Sequence, residues 1–139
     1  MNISVIGFGY WGPNLVRNFK NIKNCNVTHI AESQKERHGR IHELYPDITI
    51  STFDEIIKNS DVDAVVIATH ISSHYSLAKK ALENDKHVLI EKPMADSEKN
   101  ALELIRLSKQ QNKILMVDHT YLYTGVVQEI KKLTNDGSL

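Results

Sequence analysis

The chain has 139 residues, 41% of them hydrophobic, and its 17 lysines and arginines balance 17 aspartates and glutamates. This length allows one sizeable hydrophobic core but not two, so we expect one domain. A catalytic cleft that lies between two domains cannot be completed by this chain alone. Zero formal charge argues against a strong non-specific binder of nucleic acid or anionic membranes, and the single cysteine excludes an internal disulfide. The chain has neither a secretion signal nor a run of about 18 apolar residues, which predicts a cytoplasmic protein.

Short apolar segments alternate along the chain with segments of helical periodicity. Apolar runs of this kind predict parallel strands that are covered on both faces. They are Ile3–Ile6, Val27–Ala31, Ala64–Ala68, His87–Ile90 and Ile114–Val117, with Thr49–Ser51 as a weaker edge strand. With helices as right-handed crossovers between them, the sequence predicts an α/β fold, a doubly wound parallel sheet.

Several of the intervening helices have recognisable start signals. Ser33–Glu36 and Thr52–Glu55 have the spacing of a capping box. Ser72 or Ser73 is a candidate N-cap for the helix that follows the fourth strand, and Ser97 for the next one. A helix over about 14–22 is predicted to follow the first strand.

The pattern changes after the sixth strand. Asp118–Tyr123 leads into a predicted helix from about Val126 to Leu133, and no strand follows it. We therefore divide the chain into a domain over 1–118 and a connecting segment over 119–139. The last helix either docks on the sheet or leads toward a second domain that is absent from this chain.

A glycine-rich turn lies directly after the first strand. Gly7, Gly9 and Gly12 have the Gly-x-Gly-x-x-Gly spacing that binds dinucleotides between a strand and a helix. Gly7 would allow a tight turn, Gly9 a close approach of the backbone to a pyrophosphate, and Gly12 close packing of helix on strand. The amides at the helix start would then bind the phosphates. The alternative is an ordinary glycine-rich turn.

The residues between these glycines are candidate cofactor contacts as well. They are Phe8, Tyr10 and Trp11. Tyr10 and Trp11 are placed to cover a cofactor cleft, and packing under the first helix is an equally good interpretation for Trp11.

An acidic residue at the end of the second strand predicts which dinucleotide is bound. Glu32 lies 20 residues beyond Gly12, the spacing at which a carboxylate binds the ribose hydroxyls. Because the same carboxylate repels a 2′-phosphate, NAD is favoured over NADP. Lys35 and Arg37 would partly screen that repulsion, and Arg37 is a candidate cofactor contact. Solvated charges on a helix face are the alternative interpretation of both.

Polar residues also follow the later strands, at the edge of the sheet where ligands of such folds bind. Thr69 follows the fourth strand, and Glu91 and Lys92 follow the fifth. Pro93 biases Lys92 away from helical geometry. A lysine there is suited to hydrogen-bond a substrate oxygen at the carbon that exchanges hydride, or to act as a base. A structural turn is the alternative.

The seven histidines raise the question of a metal site. His38 and His42 are four residues apart, as are His70 and His74, so each pair would share a helix face. Neither pair has a carboxylate or thiolate at metal-site spacing. We predict no metal.

Together these motifs resemble the amino-terminal domain of one enzyme family, the glucose–fructose oxidoreductase, inositol dehydrogenase and rhizopine-catabolism (Gfo/Idh/MocA) family. The resemblance covers essentially the whole chain. Its motifs are Val5–Gly12, Ala31–Glu32, Ala68–Thr69 with His74, and above all Val88–Met94.

The resemblance implies a Rossmann fold and an NAD(P)-dependent oxidoreductase that acts on a sugar or cyclitol hydroxyl. It implies that Thr69 and Glu91 contact the nicotinamide half, that His74 belongs to the cofactor site, and that Lys92 is the active-site lysine. Family members carry a second domain that forms most of the substrate site. We therefore expect this chain to bind NAD without turnover, and oligomerisation stays open.

Two stretches depart from the usual family pattern. His70 stands where proline or asparagine is common, and Asp118–Tyr123 replaces a common Gly-His. With Trp11–Asn18, that stretch resembles a branch found with nucleotide-sugar modification, which oxidises a UDP-N-acetylhexosaminuronate at C3.

Two other classes of protein fit parts of the pattern. A non-catalytic dinucleotide sensor or scaffold subunit would share the glycine turn but has no need of Glu91–Pro93. A domain that binds CoA or an adenylate is disfavoured by Glu32.

Overall fold

Six strands form one parallel sheet in the order β3-β2-β1-β4-β5-β6 in the computed structural model, which describes residues 1–139. The strands are β1 Asn2–Ile6, β2 Asn26–Ala31, β3 Thr49–Ile50, β4 Ala64–Ile67, β5 His87–Glu91 and β6 Leu115–Asp118. The doubly wound α/β sheet is confirmed, including the short edge strand at Thr49. The strand order reverses between β1 and β4, where such folds open a crevice at the carboxyl ends of the strands.

Helices cover both faces of this sheet. The covering helices are α1 Gly12–Lys20, α2 His38–Leu44, α3 Phe53–Lys58, α4 Ile71–Glu83 and α5 Glu98–Gln110. A last helix, α6 Gly125–Asn135, follows the sheet, and short 3₁₀ helices lie at Lys35–Arg37 and Thr120–Tyr123. None of these helices has both the length and the apolar character that a membrane crossing requires.

The core lies in two layers, one on each face of the sheet. Because successive strand residues point to opposite faces, Ile6 and Val65 belong to one layer and Val5 and Val66 to the other. The first layer packs against α3, α4 and α5, and the second against α1 and α2. This double coverage explains why β4 is apolar throughout and why the apolar residues of β1 are buried on both faces of the sheet.

Two of the predicted helix starts are confirmed and two are wrong. The Thr52 capping box forms, with side-chain and backbone hydrogen bonds exchanged with Glu55, and Ser97 caps α5. The box predicted at Ser33 does not form, because the 3₁₀ helix begins at Lys35, one residue too late for Ser33 to be its N-cap, and no side chain caps it.

The N-cap predicted at Ser72 or Ser73 is wrong as well. Helix α4 begins earlier, at Ile71, and the His70 side chain accepts the Ser72 N–H as its cap. The turn after β4 is therefore shorter than the serines suggested.

The final segment is attached loosely to the rest of the fold. The sheet ends at Asp118, and α6, close to the predicted 126–133, buries none of its residues and packs against the Thr120–Tyr123 turn. The division at residue 118, with 119–139 leading toward another domain, stays a prediction.

Candidate active site

A cavity of about 1060 Å³ opens at the carboxyl ends of β1, β2, β4 and β5, where the strand order reverses. It brings together residues that are up to 86 positions apart in the chain, from Ile6 to Lys92. Of the predicted site residues, those that line it are Gly7, Gly9, Tyr10, Trp11, Glu32, Arg37, Thr69, Glu91 and Lys92. Phe8, Gly12 and His74 lie outside its lining.

The glycine turn is packed too closely for side chains at two positions. Gly7 has a φ of +95°, and a Cβ there would lie 2.7 Å from the Ala68 carbonyl oxygen. A Cβ on Gly12 would lie 2.2 Å from the carbonyl oxygen of Gly7. The tight turn and the close helix packing predicted for these glycines are therefore present, and phosphate binding by the turn stays a prediction.

Helix α1 begins beside the cavity with its positive end unopposed. No side chain caps it, its first turn has no acidic residue, and Pro13 occupies that turn. An uncapped helix N-terminus next to a glycine turn is a favourable place for an anion. A Cβ on Gly9 would meet only the Arg37 Nη1 atom, at 3.6 Å, so no backbone packs over this glycine.

The three aromatic side chains of the turn have different environments. Phe8 is buried, with its ring edge-on to Tyr45 at 6.2 Å, so its side chain belongs to the core. Tyr10 is 85% exposed, and its ring meets Trp11 edge-on at 5.5 Å. Both line the cavity, as a covering role requires.

Glu32 is held in place by three donors. Its Oε2 accepts the Phe8 N–H at 2.8 Å and Arg37 Nη1 at 3.1 Å, and its Oε1 accepts the Gln34 N–H at 2.8 Å. The side chain is only 4% exposed. Burial acts to raise the pKa of Glu32, but these donors outweigh it and hold the pKa below its ordinary value. The carboxylate is therefore charged and fixed at the edge of the cavity.

Arg37 is an ion-pair partner of Glu32 rather than a solvated charge. Its Nη1 also lies 3.6 Å from where a Cβ of Gly9 would stand. The guanidinium thus lies between the acidic residue and the glycine turn.

Glu91 and Lys92 stand at the end of β5, on the other side of the cavity. Glu91 is 7% exposed, and it faces Asp118 in the register of β5 and β6. Burial, and then the charge and hydrogen bond of Asp118, raise the pKa of Glu91. The Lys92 side chain is exposed to the cavity, its N–H donates to Glu91 Oε2 at 3.2 Å, and the Lys92–Pro93 peptide is cis.

His74 is buried instead of lining the cavity. Its Nδ1 lies 2.8 Å from the Pro93 carbonyl oxygen and its Nε2 3.0 Å from that of Thr69. Thr69 lines the cavity, and its hydroxyl is hydrogen-bonded to Ser73 at 2.7 Å. A direct contact of His74 with a cofactor stays untested, and the geometry connects it to two turns that do line the site.

Some cavity residues were missed by the sequence reasoning. Ser51 and Thr52 line the cavity beyond the end of β3. Applying the strand-end rule to the weak edge strand would have found them. No group of three or more histidine, cysteine, aspartate or glutamate side chains is arranged to hold a metal ion.

Comparison with known proteins identifies the domain. The GFO_IDH_MocA family model, described as "Oxidoreductase family, NAD-binding Rossmann fold", matches residues 1–119. The chain is 29% identical over 137 residues to 2,7-anhydro-N-acetylneuraminate hydratase of Escherichia coli K12, and the match covers 99% of this chain and 36% of that protein.

Two solved structures superpose on the chain as well. An NAD-binding protein from Listeria innocua has a TM-score of 0.89 and 26% identity, covering 98% of this chain and 40% of that one. A 3-ketoreductase from Actinomadura kijaniata, in complex with TDP-benzene and NADP, has a TM-score of 0.88 and 22% identity over 99% of this chain and 44% of that one. The chain thus spans less than half the length of these proteins. It belongs to the Gfo/Idh/MocA family of oxidoreductases, and residues 1–119 match its NAD-binding Rossmann fold.

Proposed function

We propose that this chain binds NAD and that, in a complete enzyme, it serves hydride transfer between the nicotinamide and a sugar or nucleotide-sugar hydroxyl. The observation that carries the proposal is the shared cavity. The glycine turn, the fixed Glu32 carboxylate and Lys92 all border it, so one extended ligand is able to reach all three. Lys92 favours an enzyme over a dinucleotide sensor, which needs no amine there.

The phosphate end of the proposed site rests on backbone groups. Gly7 and Gly12 hold the turn tight, and Gly9 leaves room for a pyrophosphate beside the uncapped start of α1. Tyr10 and Trp11 would cover the bound dinucleotide.

Glu32 supports NAD as the dinucleotide. A carboxylate whose pKa is lowered is an acceptor for both hydroxyls of the adenosine ribose and repels a 2′-phosphate. Arg37, which pairs with it at 3.1 Å, reduces that repulsion. The proposal is therefore a preference for NAD, although the 3-ketoreductase that shares this fold has NADP bound.

The nicotinamide half would lie toward Thr69 and Glu91. When bound, the nicotinamide ring supplies the hydride acceptor or donor. Lys92 follows the end of β5 and lines the cavity, which supports a role for its amine in hydrogen-bonding the reacting hydroxyl and taking its proton.

The substrate class is proposed from relatives and not from a pocket in this chain. The Escherichia coli relative is named for 2,7-anhydro-N-acetylneuraminate, and the structure from Actinomadura kijaniata carries a TDP-linked ligand. Because the chain spans less than half the length of these relatives, we propose that the isolated chain binds NAD without turnover.

Calorimetric titration of the chain with NAD and with NADP tests the binding proposal. We expect NAD to bind, and NADP to bind more weakly. Absence of binding of either dinucleotide at millimolar concentration would contradict the proposal. Turnover of a UDP-hexuronate or a cyclitol by the isolated chain would contradict the second part.

The Glu32→Gln variant tests the ribose contact. Loss of charged hydrogen bonds to the ribose should weaken NAD binding about tenfold or more. It should also narrow the difference between the affinities for NAD and for NADP. Glu36→Gln is the matched control, since Glu36 is exposed on the next turn of the same segment. A melting curve for each variant separates lost binding from lost folding.

A further inference from the structure

His74 is the buried polar side chain of α4 that faces two backbone carbonyls at once. It is 2% exposed, with Nδ1 2.8 Å from the Pro93 oxygen and Nε2 3.0 Å from the Thr69 oxygen. Carbonyl oxygens only accept hydrogen bonds, and a neutral imidazole carries one hydrogen, so the neutral ring donates to one of the two carbonyls and only the protonated ring donates to both. A hydrogen bond to Pro93 therefore requires a hydrogen on Nδ1. The ring has no polar atom left for a ligand in the cavity.

The two carbonyls belong to turns that end neighbouring strands. Thr69 follows β4, whose residues pair in register with those of β5, and Pro93 comes two residues after the end of β5. Lys92, immediately before Pro93, lines the cavity together with Thr69. His74 therefore lies beneath the site and joins two of its walls.

The two turns differ in how much else holds them. Around Thr69, the Thr69 hydroxyl bonds Ser73 at 2.7 Å, and the Ser73 hydroxyl donates to the His70 carbonyl at 2.8 Å. The turn over 92–95 has the Lys92 N–H bond to Glu91 and the apolar packing of Met94, and its side-chain hydrogen bond from α4 is the one from His74. The turn that carries Lys92 is therefore the one whose position depends on His74.

We propose that His74 is a positioning residue for Lys92, which it holds at a fixed place relative to Thr69 by tying the Pro93 carbonyl to α4. The histidine acts through the Pro93 carbonyl and does not itself touch cofactor or substrate. The inference rests on the proposed function, because it gives Lys92 and Thr69 their roles at the nicotinamide half of the site.

Three substitutions separate the two hydrogen bonds. Asparagine has its amide nitrogen on Cγ, as Nδ1 of histidine is, so His74→Asn retains a donor toward Pro93. Glutamine extends one bond further, so His74→Gln places its donor toward Thr69. His74→Phe fills the space without either donor, and Ser76→Ala is the control on the exposed side of the same helix.

Amide hydrogen exchange, measured by NMR on the ligand-free chain, reports how firmly His74 holds the turn that carries Lys92. We expect exchange at the Lys92 amide to be about tenfold faster in His74→Phe and His74→Gln, as loss of one hydrogen bond allows, and close to wild type in His74→Asn and Ser76→Ala. Core amides such as Ile30 should not change. Unchanged exchange at Lys92 in His74→Phe, or an equal acceleration at Ile30, would overturn the inference.

Measurements of ligand binding then test whether His74 positions Lys92 in the site. ADP probes the glycine turn and Glu32 alone, whereas NAD also reaches the Lys92 side. In His74→Gln and His74→Phe we expect the Kd of NAD to rise about tenfold with the Kd of ADP unchanged. Equal weakening of both ligands would mean a general structural role and would overturn the positioning role. If the wild-type chain binds neither ligand, the proposed function is wrong, and hydrogen exchange still decides whether His74 holds the Lys92 turn.

Discussion

Some contacts of the site residues follow from the spacing of those residues in the sequence, and others do not. The spacing of Gly7, Gly9 and Gly12 indicates where backbone must pack closely, and the structure contains those contacts, with 2.2 Å between a Cβ on Gly12 and the Gly7 oxygen. Spacing does not indicate that Arg37 pairs with Glu32 at 3.1 Å, because the turn that brings them together depends on the Phe8 and Gln34 amides.

Gly12 gives the sharpest residue-scale prediction. We expect Gly12→Ala to lower the free energy of unfolding by about 1–3 kcal/mol, because the added methyl meets backbone that is unable to move aside, and to weaken NAD binding. Urea unfolding and calorimetry measure the two effects.

Gly39 supplies the matched control for that substitution. It lies in α2 with nothing within 4 Å of an added Cβ. Gly39→Ala should raise the free energy of unfolding by about 0.5–1 kcal/mol, since alanine is the better helix former. Equal destabilisation by both substitutions would contradict the close packing at Gly12.

At the scale of elements, the same sequence spacing gives different outcomes. Thr52–Glu55 forms a capping box, but Ser33–Glu36 does not, because the helical turn there begins at Lys35 with Gln34 as its N-cap. The spacing of a capping box predicts a cap only when the helix starts at the residue directly after the serine or threonine.

Alanine substitutions at Thr52 and at Ser33 should differ in their effect on stability. Thr52→Ala should lower the free energy of unfolding by about 1 kcal/mol, because it leaves the Glu55 amide of α3 without its acceptor. Ser33→Ala should change it by less than about 0.5 kcal/mol. Urea unfolding of both variants measures this, and a larger effect at Ser33 would contradict the observed helix start.

Pairing of β5 with β6 creates a coupling that neither strand contains alone. It sets Glu91 opposite Asp118, and burial together with that neighbouring carboxylate raises the pKa of Glu91. The folded chain therefore holds the Glu91 proton more tightly than the unfolded chain does. The stability this contributes is present below the ordinary glutamate pKa and is lost as pH rises through the raised one.

Replacing Glu91 by glutamine should remove that pH dependence. From about pH 4 upward, Glu91→Gln should become more stable relative to wild type, with a slope of at most about 1.4 kcal/mol per pH unit. Urea unfolding at a series of pH values measures the difference. Asp118→Asn should reduce the wild-type slope as well, and a difference that falls with rising pH would contradict the coupling.

For the whole molecule, the order of the strands creates the site. Reversal between β1 and β4 opens the crevice into which Gly7, Glu32 and Lys92 face from three different strand ends. Most of the stabilising burial lies in the two core layers, and the final helix adds none of it.

Removal of the final helix should therefore leave the fold intact. Deletion of residues 125–139 should change the free energy of unfolding by less than about 1 kcal/mol, as these residues bury no side chain. Leu104→Ala, in the core, should cost about 2–5 kcal/mol and serves as the comparison. A large loss on deletion, measured by urea unfolding, would show that α6 contributes to the core.

Local sequence patterns were sufficient to predict the α/β class, the six strands, the glycine turn and the acidic residue at the end of β2. These depend on periodicity and short-range spacing, which the chain carries locally. Tertiary structure alone decided that Glu32 is held by Phe8, Gln34 and Arg37, that Glu91 faces Asp118, and that His74 lies beneath the cavity instead of in it. Sheet pairing and burial produce those contacts between residues that are up to 27 positions apart, as Glu91 and Asp118 are, and no local pattern specifies them.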